Sequence, residues 1–233
     1  MLPLVRLLLV SNSGRPFLQH CRGAIAVFLA GARRLAFVTA ADLRDEEGYW
    51  ELARAALEPE PTGLTVDHLR WDRDFRPTLA RAEAIFVGGG NTYALLQRLR
   101  EARLFDGIRD RVRAGLPYVG ASAGANLAGP NILTTNDWNV VGLDHFEAFR
   151  FVPFNVNPHY KESDPAMAPG SETRDERIAE YFLVRDNPVV GIEEGTMVRA
   201  EEGVATVLGA GRVKVFVRGR EPRWFAAGEQ LVF

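Results

Sequence analysis

Leu116–Asn126 reads Leu-Pro-Tyr-Val-Gly-Ala-Ser-Ala-Gly-Ala-Asn, an apolar run that passes into small residues around Ser122. The apolar half is typical of a buried strand and the small half can begin a helix. Gly120 and Gly124 lack the Cβ atoms that would collide where a strand turns sharply into a helix. Their spacing predicts a nucleophile elbow, in which a strained backbone holds the serine hydroxyl toward a cleft. In a chain with 22 glycines the pattern also fits a plain Gly-Ser turn, so partner residues must decide.

The sequence before this stretch alternates apolar runs with segments of helical periodicity. We predict strands at 4–10, 35–40, 63–69 and 84–87, and helices at 17–34, 46–57, 78–83, 92–103 and 104–114. This order favours right-handed crossovers and a mostly parallel sheet with helices on both faces, which is an α/β fold. Reactive groups in such sheets lie at the C-terminal ends of the strands, where both Gly88–Gly90 and Ser122 fall.

The second half of the chain is less regular. Here we predict extended segments at 131–136 and 151–157, a helix at 171–183 and a buried strand at 189–192. Short strands at 197–200, 205–208, 213–218 and 230–233, joined by glycine turns, predict a trailing antiparallel sheet. No linker composition or internal repeat divides the sequence, so we expect one domain over residues 1–233.

Composition narrows the class of protein. The 233 residues are 47% hydrophobic and 25% charged, as in a globular protein with a sizeable core. The net charge is −2 and the 28 basic residues are dispersed, so we expect no nucleic-acid partner. Cys21 is the single cysteine, which fits a reducing compartment. The apolar start is too short for a signal peptide and no stretch has the length of a membrane span, so we expect a cytoplasmic protein.

A serine nucleophile needs a general base, and His159 is the best placed of the four histidines. It follows an extended run, and Pro158 fixes the turn that would present its imidazole at the reactive edge. Glu193 and Glu194 follow another buried strand and could orient that imidazole. Adjacent residues of an extended chain face opposite ways, so only one of the two can easily meet His159. The spacing itself does not choose between them. The remaining histidines are His20, His68 and His145.

Seven short motifs in the same order resemble the peptidase E (α-aspartyl dipeptidase) family, whose members share the sheet of class I glutamine amidotransferases. They are Leu-Leu-Val-Ser-Asn-Ser at 8–13, Val-Gly-Gly-Gly-Asn-Thr at 87–92, Gly-Ala-Ser-Ala-Gly-Ala-Asn at 120–126, Thr-Thr-Asn-Asp at 134–137, Asn-Pro-His at 157–159, Glu-Thr-Arg at 172–174 and Val-Gly-Ile-Glu-Glu-Gly at 190–195. The resemblance implies a three-layer α/β/α sandwich of the glutamine amidotransferase-like, or flavodoxin-like, type with short antiparallel strands at its C-terminus. It also implies an exopeptidase that removes N-terminal aspartate from Asp-X dipeptides without a metal or cofactor.

By the same resemblance Ser122 is the nucleophile, His159 the base and Glu194, rather than Glu193, the third member of a triad. The acyl-transfer chemistry then needs backbone donors for an oxyanion, and we predict the amides of Gly89, Gly90 and Ala123.

Selectivity for aspartate requires a cation for the side-chain carboxylate and an anion for the free amine. Arg174, in the Glu-Thr-Arg motif, is the candidate cation because a guanidinium binds a carboxylate bidentately. Asp137 is the candidate for the amine, although an Asx turn fits it as well, and Asn91 is a further candidate for substrate binding.

Two alternatives stay open at this point. One is a related serine hydrolase, such as a cyanophycinase-like enzyme that cleaves β-aspartyl peptides with the same triad. The other is a non-catalytic ligand-binding module of the same fold. The sequence also leaves the oligomeric state open between a monomer and a homodimer.

Overall fold

The computed structural model describes residues 5–162 and 170–233. The secondary structure alternates through the first half of the chain and ends in strands. The elements are β1 (Leu7–Val10), α1 (Arg22–Phe28), β2 (Arg34–Val38), α2 (Glu46–Leu57), β3 (Thr65–Leu69), α3 (Arg76–Arg81), β4 (Ala84–Val87), α4 (Thr92–Glu101), α5 (Leu104–Arg113), β5 (Tyr118–Ala121), α6 (Ala123–Asn126), β6 (Asn155–Tyr160), α7 (Arg174–Val184), β7 (Val189–Glu193), β8 (Thr196–Glu201), β9 (Val204–Gly209), β10 (Val213–Phe216) and β11 (Arg223–Phe225). The predicted α/β class is confirmed.

The larger sheet has the strand order β3-β2-β4-β5-β1-β8-β9. The strands from β3 to β1 pair in parallel, whereas β8 and β9 run antiparallel at the other edge. Parallel pairing follows from the helices that connect β1 to β5, because a helical crossover returns the chain to the same end of the sheet. The C-terminal ends of β1, β4 and β5 therefore meet at one edge.

Two apolar clusters cover the two faces of this sheet. Leu7 and Leu9 of β1 belong to the cluster that includes α4 and α5, whereas Leu8 and Val10 belong to the cluster that includes α1 and α2. Successive strand residues point to opposite faces, which explains this division. All residues of β1, β4 and β5 are buried, as expected for strands that are covered on both sides.

The prediction of a single trailing antiparallel sheet is wrong, because the C-terminal strands are divided between two sheets. The strands β8 and β9 extend the larger sheet, while β10 and β11 form a second sheet in the order β11-β10-β7-β6. In the second sheet β6 and β7 are parallel and the other neighbours antiparallel. Gln230 makes only an isolated bridge to Thr206, and the strand at Arg223–Phe225 was not predicted.

Several predicted boundaries also change. Of the helix predicted at 17–34, the structure forms only α1. The residues directly before α1 form turns, and Leu18 among them has φ +57°. The segment 131–136 forms no strand, and its Asn131 makes one isolated bridge to Glu147. The helix predicted at 171–183 begins at Arg174, the first residue of α7, and Thr173 before it forms the capping box. The first predicted strand, 4–10, is β1, and Leu4 lies outside the described residues.

Within residues 5–162 and 170–233, no helix combines the length and the apolar character needed to cross a membrane.

Candidate active site

Ser122 lies between β5 and α6 with φ +51° and ψ −109°, a backbone conformation that L-residues rarely adopt. Its N–H donates to the Val10 carbonyl over 3.0 Å, which fastens the turn to β1. The flanking glycines are required by space. A Cβ on Gly124 would lie 2.1 Å from the Val87 carbonyl oxygen, and one on Gly120 would lie 2.5 Å from the Gly124 carbonyl oxygen. The predicted strand-to-helix junction is therefore present, with Ser122 at the strained position.

Three side chains form a hydrogen-bonded line at this edge. Ser122 Oγ lies 2.9 Å from His159 Nε2, and His159 Nδ1 lies 3.0 Å from Glu194 Oε1. A carboxylate can only accept, so Nδ1 carries the proton of the neutral imidazole and Nε2 is left to accept from the serine hydroxyl. The imidazole and the carboxylate are 39% and 50% exposed, so solvent screens their attraction.

His159 is held by an irregularity of β6 and does not lie beyond its end. The register between β6 and β7 shifts between Asn157 and Tyr160, and His159 has φ +52°. Such a bulge re-aims one side chain without ending the strand. Pro158 precedes His159 within the strand, so the prediction that Pro158 ends the strand in a turn is wrong, and the bulge presents the imidazole instead.

Glu193 and Glu194 point in different directions, as their adjacency on an extended chain requires. Glu193 Oε2 accepts from the Arg212 N–H over 2.7 Å, and Glu193 Oε1 lies 3.5 Å from the Arg212 guanidinium. Glu194 instead contacts His159. The structure thus distinguishes the two acids that the spacing left equivalent.

Ser11 joins the elements that carry these side chains and was missed as a site residue. Its buried hydroxyl donates to the Ile192 carbonyl over 2.8 Å and accepts from the His159 N–H over 2.9 Å. The adjacent Asn12 accepts from the Gly195 N–H over 3.0 Å, next to Glu194. The sequence does contain a signal for Ser11 as a site residue, because it begins a polar turn directly after an all-apolar strand, at the C-terminal end of β1.

The glycine loop after β4 packs directly against the serine. A Cβ on Gly89 would lie 3.1 Å from Ser122 Cβ. The Gly89 N–H, however, donates to Tyr49 Oη over 2.8 Å, so as an oxyanion donor it would have to give up this bond. Burial raises the pKa of Tyr49 to about 12, which keeps its hydroxyl neutral. Among the described residues, the Gly90 and Ala123 amides donate to no acceptor.

Asn91 and Asp137 fasten a loop to the start of α4. Asp137 Oδ2 accepts from the Thr92 N–H over 2.8 Å and from Thr92 Oγ1 over 2.6 Å. Asn91 Oδ1 caps the helix by accepting from the Ala94 N–H over 2.9 Å, and its Nδ2 donates to the Trp138 carbonyl. These contacts account for both side chains structurally, and their contact with substrate stays a prediction.

Arg174 is the first residue of α7 and lines a cleft of about 500 Å³. Asn136 and Asn157 line the same cleft and bond to each other, and Asn136 Nδ2 donates to the Pro158 carbonyl. The cleft therefore shares a wall with the segment that carries His159. Over the part of the chain that the structure describes, the Arg174 guanidinium has no hydrogen bond or ion pair. Burial, followed by the nearby charge of Arg177, lowers the pKa of Arg174.

A serine at a strained strand-to-helix junction, bonded to an imidazole that is bonded to a carboxylate, is the arrangement of serine hydrolases. The comparisons with known proteins narrow this class. The family model described as Peptidase family S51 matches residues 7–208. The chain belongs to peptidase family S51.

Two relatives and one solved structure illustrate the similarity. Peptidase E of Streptomyces coelicolor is 41% identical over 230 residues, which cover 97% of this chain and 93% of that protein. The "Probable alpha-aspartyl dipeptidase" of Drosophila melanogaster is 44% identical over 216 residues, which cover 90% and 89% of the two chains. The crystal structure of a peptidase from an acI-B1 Actinobacterium superposes with a TM-score of 0.76 at 20% identity, over 99% of this chain and 97% of that one. That structural likeness concerns the fold.

Proposed function

We propose that this serine peptidase is an exopeptidase that hydrolyses dipeptides with N-terminal aspartate, through Ser122, His159 and Glu194. The observation that carries the proposal is the unbroken hydrogen-bonded line from Ser122 Oγ through the imidazole to Glu194 Oε1. The names of the S. coelicolor and D. melanogaster relatives support the substrate class.

The chemistry follows from the proton positions in that line. His159 Nε2 takes the proton of Ser122 as Oγ attacks the scissile carbonyl carbon. The imidazolium that forms is stabilised by Glu194, and it returns the proton to the leaving amine as the C–N bond breaks. A water molecule, deprotonated by the same nitrogen, then attacks the acyl carbon. The bond from this carbon to Ser122 Oγ breaks, Oγ takes the proton back from His159, and aspartate is released. Two acyl-transfer steps thus replace one direct hydrolysis.

The tetrahedral intermediates carry an oxyanion that needs donors beside Ser122. We assign this role to the amides of Gly90 and Ala123, which have no acceptor among the described residues. Each such donor is typically worth about 3 kcal/mol in the transition state. Gly89 joins them only if its amide leaves Tyr49 Oη.

Arg174 would bind the side-chain carboxylate of the substrate. A guanidinium that is half-buried and has no counter-ion among the described residues gains most from a carboxylate that completes its bonding. The carboxylate of Asp137 would face the substrate amine, with Asn91 beside it at the start of α4.

We also infer the finer features of the fold. Apolar clusters with helices on both faces of the larger sheet support a three-layer, flavodoxin-like α/β/α sandwich of the class I glutamine amidotransferase type. One domain over residues 1–233 is our proposal for the organisation of the chain. The cytoplasmic location stays a prediction from the single cysteine.

The test uses the purified protein with three dipeptides. We expect hydrolysis of Asp-Leu, much slower hydrolysis of Ala-Leu, and no hydrolysis of either by Ser122→Ala. Arg174→Met should remove the preference for Asp-Leu and leave Ser122 reactive toward diisopropyl fluorophosphate. Cleavage of β-Asp-Arg without cleavage of Asp-Leu would favour the β-aspartyl alternative. A wild-type protein that is neither labelled nor active would support a ligand-binding module.

A further inference from the structure

The peptide unit between Pro158 and His159 lies where the pairing of β6 with β7 is interrupted. The register shifts between Asn157 and Tyr160, so the two residues between them face one residue of β7. Proline has no N–H to donate to a neighbouring strand, and His159 has φ +52°, which costs free energy in a residue with a Cβ. Regular strand pairing therefore does not fix the backbone directly before the imidazole.

Two side chains from outside the second sheet hold this peptide unit. Ser11 Oγ, at the end of β1, accepts from the His159 N–H over 2.9 Å. Asn136 Nδ2, in the loop after α6, donates to the Pro158 carbonyl oxygen over 2.7 Å. The N–H and the C=O of a trans peptide point to opposite sides, so the two bonds restrain the peptide plane from both sides. Rotation of this plane would change φ of His159 and move its imidazole.

The orientation of the Asn136 amide is fixed by its second partner. Asn136 Oδ1 accepts from Asn157 Nδ2 over 2.8 Å, and Asn157 Nδ2 also donates to the Thr134 carbonyl over 2.8 Å. Only the nitrogen of a carboxamide donates, so Oδ1 of Asn136 must face Asn157 and Nδ2 must face the Pro158 carbonyl. A carboxylate of the same shape could still accept from Asn157 but could not donate to Pro158.

The residues on either side of Asn136 are fastened as well. Thr134 Oγ1 donates to the Val156 carbonyl over 2.9 Å, which ties the loop to β6. Asp137 Oδ2 accepts from the Thr92 N–H over 2.8 Å, which ties the loop to the start of α4. A group can hold a catalytic side chain in place only if it is itself held, and Asn136 meets this condition.

We propose that Asn136 is a positioning residue, because its amide holds the Pro158 carbonyl and so keeps His159 Nε2 at hydrogen-bond distance from Ser122 Oγ. Asn136 acts through the backbone that carries the base, and it is not a catalytic residue. The inference rests on one part of the proposed function, namely that Ser122 is the nucleophile and His159 the base. It does not depend on which peptide is cleaved.

A competing role for Asn136 is direct contact with the substrate, because it also lines the cleft that contains Arg174. The two roles differ in what they change. Loss of a substrate contact raises KM and leaves the intrinsic reactivity of Ser122 unchanged. Displacement of His159 lowers every reaction in which the imidazole must take the serine proton, whatever the reagent.

The test compares Asn136→Ala and Asn136→Asp with the wild type and with the matched control Asn139→Ala. Asn139 lies in the same loop, and its amide donates to the Leu143 carbonyl over 2.8 Å and accepts from the Leu143 N–H over 2.9 Å. For each protein, KM and kcat are measured on Asp-Leu, and the reaction rate of Ser122 with uncharged diisopropyl fluorophosphate is measured separately. All rates are taken on the plateau of each protein's pH profile, and thermal unfolding shows which variants are folded.

We expect Asn136→Ala to lower kcat and the fluorophosphate rate together, by about 10- to 100-fold, since a displacement of about 1 Å costs about a hundredfold in rate. KM should stay within about threefold of the wild type. Asn136→Asp should show the same pattern, because it keeps the acceptor for Asn157 and loses only the donor to Pro158. Asn139→Ala should keep both rates within about twofold, even if its melting temperature falls.

A higher KM in Asn136→Ala with an unchanged fluorophosphate rate would make Asn136 a substrate contact and overturn the inference. Unchanged rates in the folded Asn136 variants, or equal losses in Asn139→Ala, would leave only a structural role and also overturn it. If Asn136→Ala does not fold, Asn136→Asp decides, and its full activity would count against the inference. A wild-type protein that reacts with the fluorophosphate but does not cleave Asp-Leu would refute the proposed substrate class, while the fluorophosphate rates would still decide the role of Asn136. A wild-type protein inactive toward both would refute both.

Discussion

Glu194→Gln removes the negative charge beside the imidazole and preserves the shape of the side chain. A glutamine carbonyl can still accept from His159 Nδ1, so the tautomer is retained and only the attraction to the imidazolium is lost. Two unit charges about 4 Å apart attract by about 1 kcal/mol in water and about 4 kcal/mol near a protein surface. The Glu194 and His159 side chains are 50% and 39% exposed, which favours the lower half of that range. We therefore expect kcat to fall about 5- to 70-fold.

The assay is steady-state hydrolysis of Asp-Leu, and the matched control is Glu193→Gln. Glu193 carries the same charge one residue earlier, but it contacts Arg212 and not the imidazole. We expect the control variant to keep kcat within about twofold of the wild type, since the Glu193 carboxylate is bonded to Arg212 and not to the imidazole. Equal losses in the two variants, or full activity of Glu194→Gln, would refute the assignment of Glu194.

Three further changes test the supports of the site. Tyr49→Phe leaves the Gly89 N–H without its acceptor, so we expect about 1–3 kcal/mol lower free energy of unfolding in urea. Gly124→Ala places a Cβ 2.1 Å from a β4 carbonyl oxygen and should cost at least about 3 kcal/mol, whereas Gly23→Ala in α1, with no atom within 4 Å, should gain about 0.5–1 kcal/mol in the same titration. Burial lowers the pKa of His68 below its ordinary value of 6.5. As the pH falls, the unfolded chain therefore takes up a proton at His68 before the folded protein does, and the free energy of unfolding decreases below about pH 6.5. His68→Gln should lose less free energy of unfolding than the wild type between about pH 7.5 and pH 5.5.

The alternation of strands and helices could be predicted because its signals are local. Apolar runs of four to six residues mark β1, β4 and β5, and their complete burial matches the absence of polar residues in them. The elbow was equally local, since two glycines and a serine at fixed spacing describe one turn. The prediction that His159 lies at the same edge used the rule that parallel strands of one sheet end together, but β6 belongs to the second sheet, so that rule does not explain how His159 meets Ser122.

The sequence could not predict how strands are shared between the two sheets, because pairing depends on partners far along the chain. The sequence pattern of β8 would be the same whether the strand paired with β1 or with β10. β8 pairs with β1 because the edge of β1 opposite β5 offers unpaired backbone groups. The sequence of the segment 131–136 predicts an extended strand, but in the structure side-chain hydrogen bonds hold this segment instead of backbone pairing with a neighbouring strand. Thr134 Oγ1 donates to the Val156 carbonyl over 2.9 Å, and Asn157 Nδ2 donates to the Thr134 carbonyl over 2.8 Å.

The division into two sheets has a consequence for the chemistry. Ser122 leaves the larger sheet at β5, whereas His159 and Glu194 come from the ends of β6 and β7 in the second sheet. A shift of one sheet against the other would separate Ser122 Oγ from the imidazole, and a displacement of about 1 Å in such a site costs about a hundredfold in rate. Ser11 opposes this shift, because its hydroxyl at the end of β1 bonds to backbone atoms of both β6 and β7. Ser11, a buried polar residue at the end of an otherwise apolar strand, is therefore the link that keeps Ser122 and His159, the proposed nucleophile and base, at hydrogen-bond distance.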